Sequence, residues 1–144
     1  MVKVNGLNIF TDGGARGNPG PAAVGVVVKN QHGERLAGFG QFIGQATNNV
    51  AEYQAVIAAL KWLLVHQETI LGCQPINFYL DSTLVVNQLN GRFKIKDLKL
   101  KNLIIKIKDL EKKIAQEIFY KFIPRTKNHQ ADFLVNQTLD QKNF

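Results

Sequence analysis

The stretch Ile9-Phe10-Thr11-Asp12-Gly13-Gly14-Ala15-Arg16-Gly17-Asn18-Pro19-Gly20 constrains this chain more than any other. Apolar residues from Leu7 to Phe10 predict a strand, and that strand delivers the Asp12 carboxylate into a turn where four of nine residues are glycine. Backbone can approach a ligand closely at such a place. Taken alone, the stretch fits equally a tight hairpin turn with an exposed Asp, because glycine-rich turns are common. Its meaning depends on the acids further along.

The chain has 144 residues, a length that predicts one domain over 1–144 with a sizeable core. Eighteen Lys and Arg against eleven Asp and Glu give a formal net charge of +7, which favours a polyanionic partner such as nucleic acid. Cys73 is the only cysteine, so an intramolecular disulfide and a cysteine-rich metal site are both excluded, and a reducing cytoplasm is the simplest home. Residues 1–8 lack the apolar core of a signal peptide, and no apolar run approaches the roughly 20 residues that span a bilayer. The expectation is a cytoplasmic monomer with no membrane partner.

After the glycine turn, Ala22 to Lys29 and Glu34 to Ile43 predict two more strands, joined by the polar break Asn30-Gln31-His32-Gly33 into an antiparallel meander. His32 belongs to that solvated turn. Thr47 can cap a helix whose apolar positions Val50, Tyr53, Ile57, Leu60 and Leu64 recur at helical spacing, with Glu52 expected in its first turn. An acid there is favoured by the helix dipole whatever its function. Ile76 to Leu80 predicts a short buried strand ending on Asp81, and Ser82 starts a short helix from Thr83 to Leu89, closed by Asn90-Gly91. Strand, Asp, helix is the arrangement of the carboxyl edge of an α/β sheet, where ligands bind. A long amphipathic helix follows from Lys96 to Gln116, with Lys94, Lys96, Lys99 and Lys101 clustered at its start, as suits a phosphate backbone. Ile118 to Ile123 is expected as a last strand with Phe119, Tyr120 and Phe122 in the core. A final helix from about His129 to Leu139 carries Asp132 in its first turn, and fraying is expected from Gln141 to Phe144.

The sum predicts a mixed α/β sheet in which Asp12, Glu52, Asp81 and Asp132 can converge. Like charges packed closely raise one another's pKa unless something positive is supplied. A divalent cation is the natural supply, and all-oxygen ligands select a hard one, Mg²⁺ first and Mn²⁺ second. Two such ions about 4 Å apart can activate a water on one side of a phosphodiester and stabilise the leaving oxygen on the other. Basic charge, acid cluster and amide-rich turn together suggest a nuclease.

At these residues the chain resembles the type 1 ribonucleases H, which cut the RNA strand of an RNA–DNA hybrid. The likeness runs from about Ile9 to Asn136 and rests on an ordered set: Thr11-Asp12-Gly13-Gly14 with Gly17-Asn18-Pro19-Gly20, Thr47-Asn48-Asn49 with Ala51-Glu52, Leu80-Asp81-Ser82, and Asn128 leading to Ala131-Asp132. The resemblance implies the RNase H-like fold, a five-stranded mixed sheet of three antiparallel strands then two parallel ones, flanked by helices. It implies catalytic, metal-binding roles for Asp12, Glu52, Asp81 and Asp132, with Asp12 and Asp81 central, Glu52 also near the RNA 2′-hydroxyl and Asp132 completing the second of two Mg²⁺ positions. Gly13, Gly14, Asn18 and Asn48 match the family's minor-groove contacts to the hybrid, and Thr47 and Asn49 its pocket for a DNA-strand phosphate.

Two features depart from the family pattern. The short connection from Asn90 to Asp97 leaves no room for the basic helix and loop that some members insert, so hybrid affinity is expected to rest on the group that includes Lys94 and Lys96. The loop before the last acid is Arg125-Thr126-Lys127-Asn128 where many members carry a histidine, leaving His129 as the substitute to consider. No separate hybrid-binding domain is expected. A junction resolvase or transposase-like core shares acid clusters but lacks the Asn-Pro-Gly turn and the Thr-Asn-Asn helix start. A binding module that has lost its chemistry is countered by the presence of all four acids.

Overall fold

The computed structural model describes residues 6–142. Alternating apolar residues and a Val-rich run produce β1 (Leu7–Ala15) and β2 (Gly20–Asn30), and β3 (Arg35–Ala46) completes the antiparallel meander. Then come α1 (Asn48–Val65), β4 (Ile76–Leu80), α2 (Thr83–Leu89), α3 (Leu98–Lys112), β5 (Ile118–Phe122) and α4 (His129–Gln141), with one turn of 3₁₀ helix at Arg125–Lys127. Strand order is β3-β2-β1-β4-β5, with β1, β4 and β5 mutually parallel, which is the mixed sheet the sequence predicts. Crossover connections through helices are what parallel pairing requires.

The main core lies between the sheet and α1. Leu7, Ile9, Val26, Val28, Ile76 and Phe78 meet Tyr53, Val56, Leu60 and Leu63 there, all almost wholly excluded from solvent. Helix α1 is apolar on most of its surface because it is wedged between the sheet and α3. Helix α4 covers the opposite face over β1, β2 and β3. Asn30 organises the first hairpin: its Oδ1 accepts from the N–H groups of His32 (2.9 Å) and Glu34 (3.0 Å), an Asx-type turn. Cys73 is buried.

Several boundaries differ from expectation. Strand β1 runs through Ala15, so Asp12 stands inside a hydrogen-bonded strand, paired in register with Gly25, rather than at a strand end. Gly13, one of the glycines that signal a turn, serves here as a close-packing position, and the turn proper begins at Arg16, with Gly17 in it at a φ of +97°. Helix α3 is shorter than the periodicity from Lys96 to Gln116 suggests, because Asp97 caps it, its Oδ1 accepting from the Leu100 N–H at 3.1 Å. Phe119 and Phe122 are exposed rather than core residues, at 43% and 48%. They lie on an edge strand that α4 does not reach; only Tyr120 of the three is buried. Of the fraying predicted at Gln141 to Phe144, residues 143 and 144 lie outside the described residues, and α4 extends through Gln141.

Candidate active site

The site is built where two parallel strands end. The β1–β4 ladder finishes at Phe10↔Tyr79, while β1 continues against β2 alone. Asp12 therefore emerges beside Asp81, which directly follows β4, at the carboxyl edge where α/β sheets bind ligands. Ser82 fixes the exit from β4 by capping α2, its Oγ accepting from the Val85 N–H at 3.2 Å.

Helix α1 brings the third acid. Thr47 Oγ1 accepts from the Val50 N–H at 3.2 Å, and the Asn48 N–H, another donor without an intrahelical partner, donates to Asn18 Oδ1 at 2.9 Å. In return the Ala15 N–H donates to Asn48 Oδ1 at 2.9 Å. Two asparagines thus tie the glycine turn to the helix start. Cap Thr47 makes Glu52 the fifth helical residue, in the second turn and not the first as the sequence suggests, and 7% exposed. A helix-dipole role is thereby removed, and Glu52 faces the sheet. Helix α4 carries Asp132 in its first turn and seats against Gly25, where a Cβ would lie 2.2 Å from the Ala131 carbonyl oxygen.

One carboxylate oxygen from each of Asp12, Glu52 and Asp81 lies within 4.8 Å of the others, and Asp132 stands beside Asp12 in the same cleft of about 410 Å³. Burial, the carboxylates of Asp81 and Asp132 and the hydrogen bond with Asp132 together push the Asp12 carboxyl up to about 7, despite an opposing hydrogen bond from Glu52. Glu52 is raised well above the usual carboxylate range by burial, then by Asp12 and Asp81. Its Oε2 is buried without a hydrogen-bond partner. An orphaned oxygen, three converging carboxylates and an all-oxygen donor set fit a hard divalent cation.

A consequence for stability follows from linkage. Asp12 and Glu52 both hold their protons more tightly in the folded protein than in the unfolded chain, whose values are 3.8 and 4.5, so this contribution is fully present below those values and is lost as pH rises, for Asp12 through about 7. In chelator, the melting temperature is expected to fall by a few degrees between about pH 5 and about pH 8. Millimolar Mg²⁺ should recover most of that loss at the higher pH and little at the lower, since it binds only the folded, deprotonated cluster. A melting temperature independent of both pH and Mg²⁺ would contradict this electrostatic account.

Gly13, Gly14, Asn48 and Asn49 line the acid cleft. Asn18, Thr47, Asn48 and Asn49 line a neighbouring cavity of about 330 Å³ together with Asp97 and Lys99. Lys94 and Lys96 are exposed and line neither cavity, Lys99 of α3 being the lysine at the second. His129 is exposed and does not line the acid cleft. The cation there is Arg125, 80% exposed, its guanidinium 4.0 Å from Asp81 Oδ1. Arg16 also lines the cleft and bridges to α4, 2.5 Å from Asp140 Oδ1. Neither arginine stands out in sequence among sixteen other basic residues; the Asn128-to-Asp132 spacing does mark a third residue, buried Asn128.

A family model described as reverse transcriptase-like matches residues 10–138. The bifunctional protein Rv2228c of Mycobacterium tuberculosis is 42% identical over 133 residues, 92% of this chain and 35% of that protein, so the chain spans about a third of its length. Ribonuclease HI of Halobacterium salinarum is 38% identical over 134 residues, 93% of this chain and 64% of the relative. LC11-RNase H1, isolated from compost by a metagenomic approach, superposes with a TM-score of 0.91 at 40% identity, covering 96% of this chain and 98% of that one. The same protein has been solved in complex with an RNA/DNA hybrid, with a TM-score of 0.89, 40% identity, and 94% and 98% of the two chains covered. With a family model matching residues 10–138 and a ribonuclease H1 structure superposing along nearly its whole length at 40% identity, the chain belongs to the type 1 ribonuclease H family.

Proposed function

We propose that this chain is an endoribonuclease that hydrolyses the RNA strand of RNA–DNA hybrids, with Asp12, Glu52, Asp81 and Asp132 as the catalytic carboxylates. The observation that carries the reading is the convergence of Asp12, Glu52 and Asp81 in a cleft where Glu52 Oε2 has no protein partner. These acids would hold two Mg²⁺ ions, Mn²⁺ being the substitute; when bound, the ions supply the activation of water and the charge neutralisation that phosphodiester hydrolysis needs. Asp12 and Asp81, at the ends of the β1–β4 ladder, supply the central oxygens. Glu52 lies on the α1 side, next to the helix start that would meet the RNA 2′-hydroxyl, and Asp132 completes the set from α4.

Substrate recognition follows from the two asparagines. Asn18 and Asn48 use their Oδ1 atoms to accept from backbone, which leaves both Nδ2 groups free to donate. Minor-groove base edges present acceptors, and the 2′-hydroxyl marks the RNA strand. Gly13 and Gly14 let the hybrid approach the cleft, while Thr47 and Asn49 at the second cavity suit a DNA-strand phosphate, with Lys99 adding charge. Lys94 and Lys96 contribute to attraction from the exposed segment before α3. Arg125 stands where a phosphate oxygen at the acid cluster would find a cation.

The direct test is cleavage of an end-labelled hybrid with Mg²⁺ and with chelator, beside matched RNA–RNA and DNA–DNA duplexes. Metal-dependent cutting confined to the RNA of the hybrid is the expected result. A folded protein that binds hybrid but cuts nothing with Mg²⁺ or Mn²⁺ would overturn the catalytic reading.

A further inference from the structure

Asn128 occupies the N-cap of α4, yet its side chain makes no capping bond to that helix. Asparagine at this position ordinarily accepts from the second or third helical N–H, so the side chain has been diverted. Its Nδ2 donates to the Thr11 carbonyl at 2.9 Å and to Asp81 Oδ2 at 3.0 Å. Both partners are pure acceptors, which fixes the orientation of the amide. The residue is 1% exposed, and its Oδ1 is buried without a partner. Its backbone carbonyl accepts the Asp132 N–H at 3.1 Å.

One residue therefore joins three of the four acids. Thr11 immediately precedes Asp12 and lies beyond the last β1–β4 pair, where the sheet itself leaves its carbonyl unclaimed on that side. Asp81 Oδ2 is held while Oδ1 is left to the cleft, and Asp132 is placed by the helix turn that starts at the Asn128 carbonyl. We propose that Asn128 is a positioning residue, whose amide sets the Asp81 carboxylate relative to Asp12 and Asp132 and so preorganises the acid cluster for a divalent cation. The inference rests on the metal-dependent reading of the site. A helix cap is given up to make it, which is the pattern expected when geometry at a site outweighs local helix stability.

The test compares Asn128→Ala and Asn128→Asp with the unaltered protein by three measurements: Mn²⁺ affinity by calorimetry without substrate, steady-state kcat and KM on hybrid, and melting temperature in chelator. Loss of a partner that orients a metal-ligating carboxylate weakens metal affinity or activity about 10- to 100-fold. Asn128→Ala should therefore bind Mn²⁺ about tenfold more weakly and lose kcat, with KM within about twofold of the original. Asn128→Asp keeps the shape and removes the donor, so it should restore neither property. Near-normal kcat and Mn²⁺ affinity in Asn128→Ala would overturn the proposal outright, and the same result in Asn128→Asp would overturn it because shape alone would then suffice. Should both variants fail to fold, the side-chain amide protons of Asn128 in the unaltered protein decide by NMR. Slow exchange and a shift on adding Mg²⁺ support the role, and fast exchange with no shift defeats it. Mn²⁺ binding requires no hydrolysis, so a protein that binds Mn²⁺ but does not cut hybrid refutes the proposed reaction and leaves the Asn128 measurement standing.

Discussion

Asp12→Asn abolishes RNA hydrolysis, by about a thousandfold or more, while hybrid binding stays measurable. Asp12 is the common neighbour of the other three acids, and it is buried, so no other side chain and no bulk water can replace its charge. The groups proposed to grip the hybrid, Asn18, Asn48, Thr47 and the lysines before and within α3, belong to other segments and are left intact. Single-turnover cleavage and a gel shift on the same preparation separate the two effects. A second readout has the opposite sign: because burial and like charge disfavour the ionised Asp12, the neutral amide should raise the melting temperature in chelator above pH 7. Hydrolysis within tenfold of the unaltered protein would remove Asp12 from its proposed role.

Gly13→Ala is the second large effect, and it acts through the backbone. A Cβ at Gly13 would lie 2.1 Å from the Ala51 carbonyl oxygen, 2.2 Å from its carbonyl carbon and 2.6 Å from the Glu52 nitrogen. None of these can rotate aside, so α1 must move off the sheet and take Glu52 away from Asp12. Overpacking of this kind costs about 3 kcal/mol, and chemical denaturation should show it, together with a large loss of cleavage. Gly33→Ala is the matched control. Nothing lies within 4 Å of its Cβ position, and only its positive φ of +80° opposes the change, at about 1 kcal/mol. Equal unfolding midpoints for the two variants would show that α1 does not depend on the close approach at Gly13.

Signals confined to a few neighbouring residues were legible in sequence. Thr47 and Ser82 marked two helix starts because a hydroxyl before an apolar repeat has a local capping function, and β4 was found to its boundaries because an acid and a cap follow it. Placement of the four carboxylates depended on those same local signals. What was illegible depends on partners distant along the chain. Gly13 looks like a turn residue and Gly25 like an ordinary strand residue, and only the arrival of α1 and α4 shows them to be seats for helices. Phe119 resembles a core aromatic until β5 proves to be an edge strand beyond the reach of α4. Arg125 and His129 both flank the last acid in sequence, and the 3₁₀ turn between them decides which one faces Asp81. The Asn128 amide has partners 117 and 47 residues away, a relation no periodicity encodes.

Asp12 is held within a strand, hydrogen-bonded to β2 on one side and screened by α1 and α4, while the lysines before α3 stand on an exposed segment that caps itself at Asp97. On the proposed function, part of the grip on hybrid is therefore inherited apart from the cutting centre. Substitutions of Lys94 and Lys96 should then shift the ionic strength at which hybrid is held and leave the chemistry undisturbed, whereas hardly any change around Asp12 should be silent. Divergence within such a lineage should collect on the gripping side, and the sheet edge should carry the signature of descent.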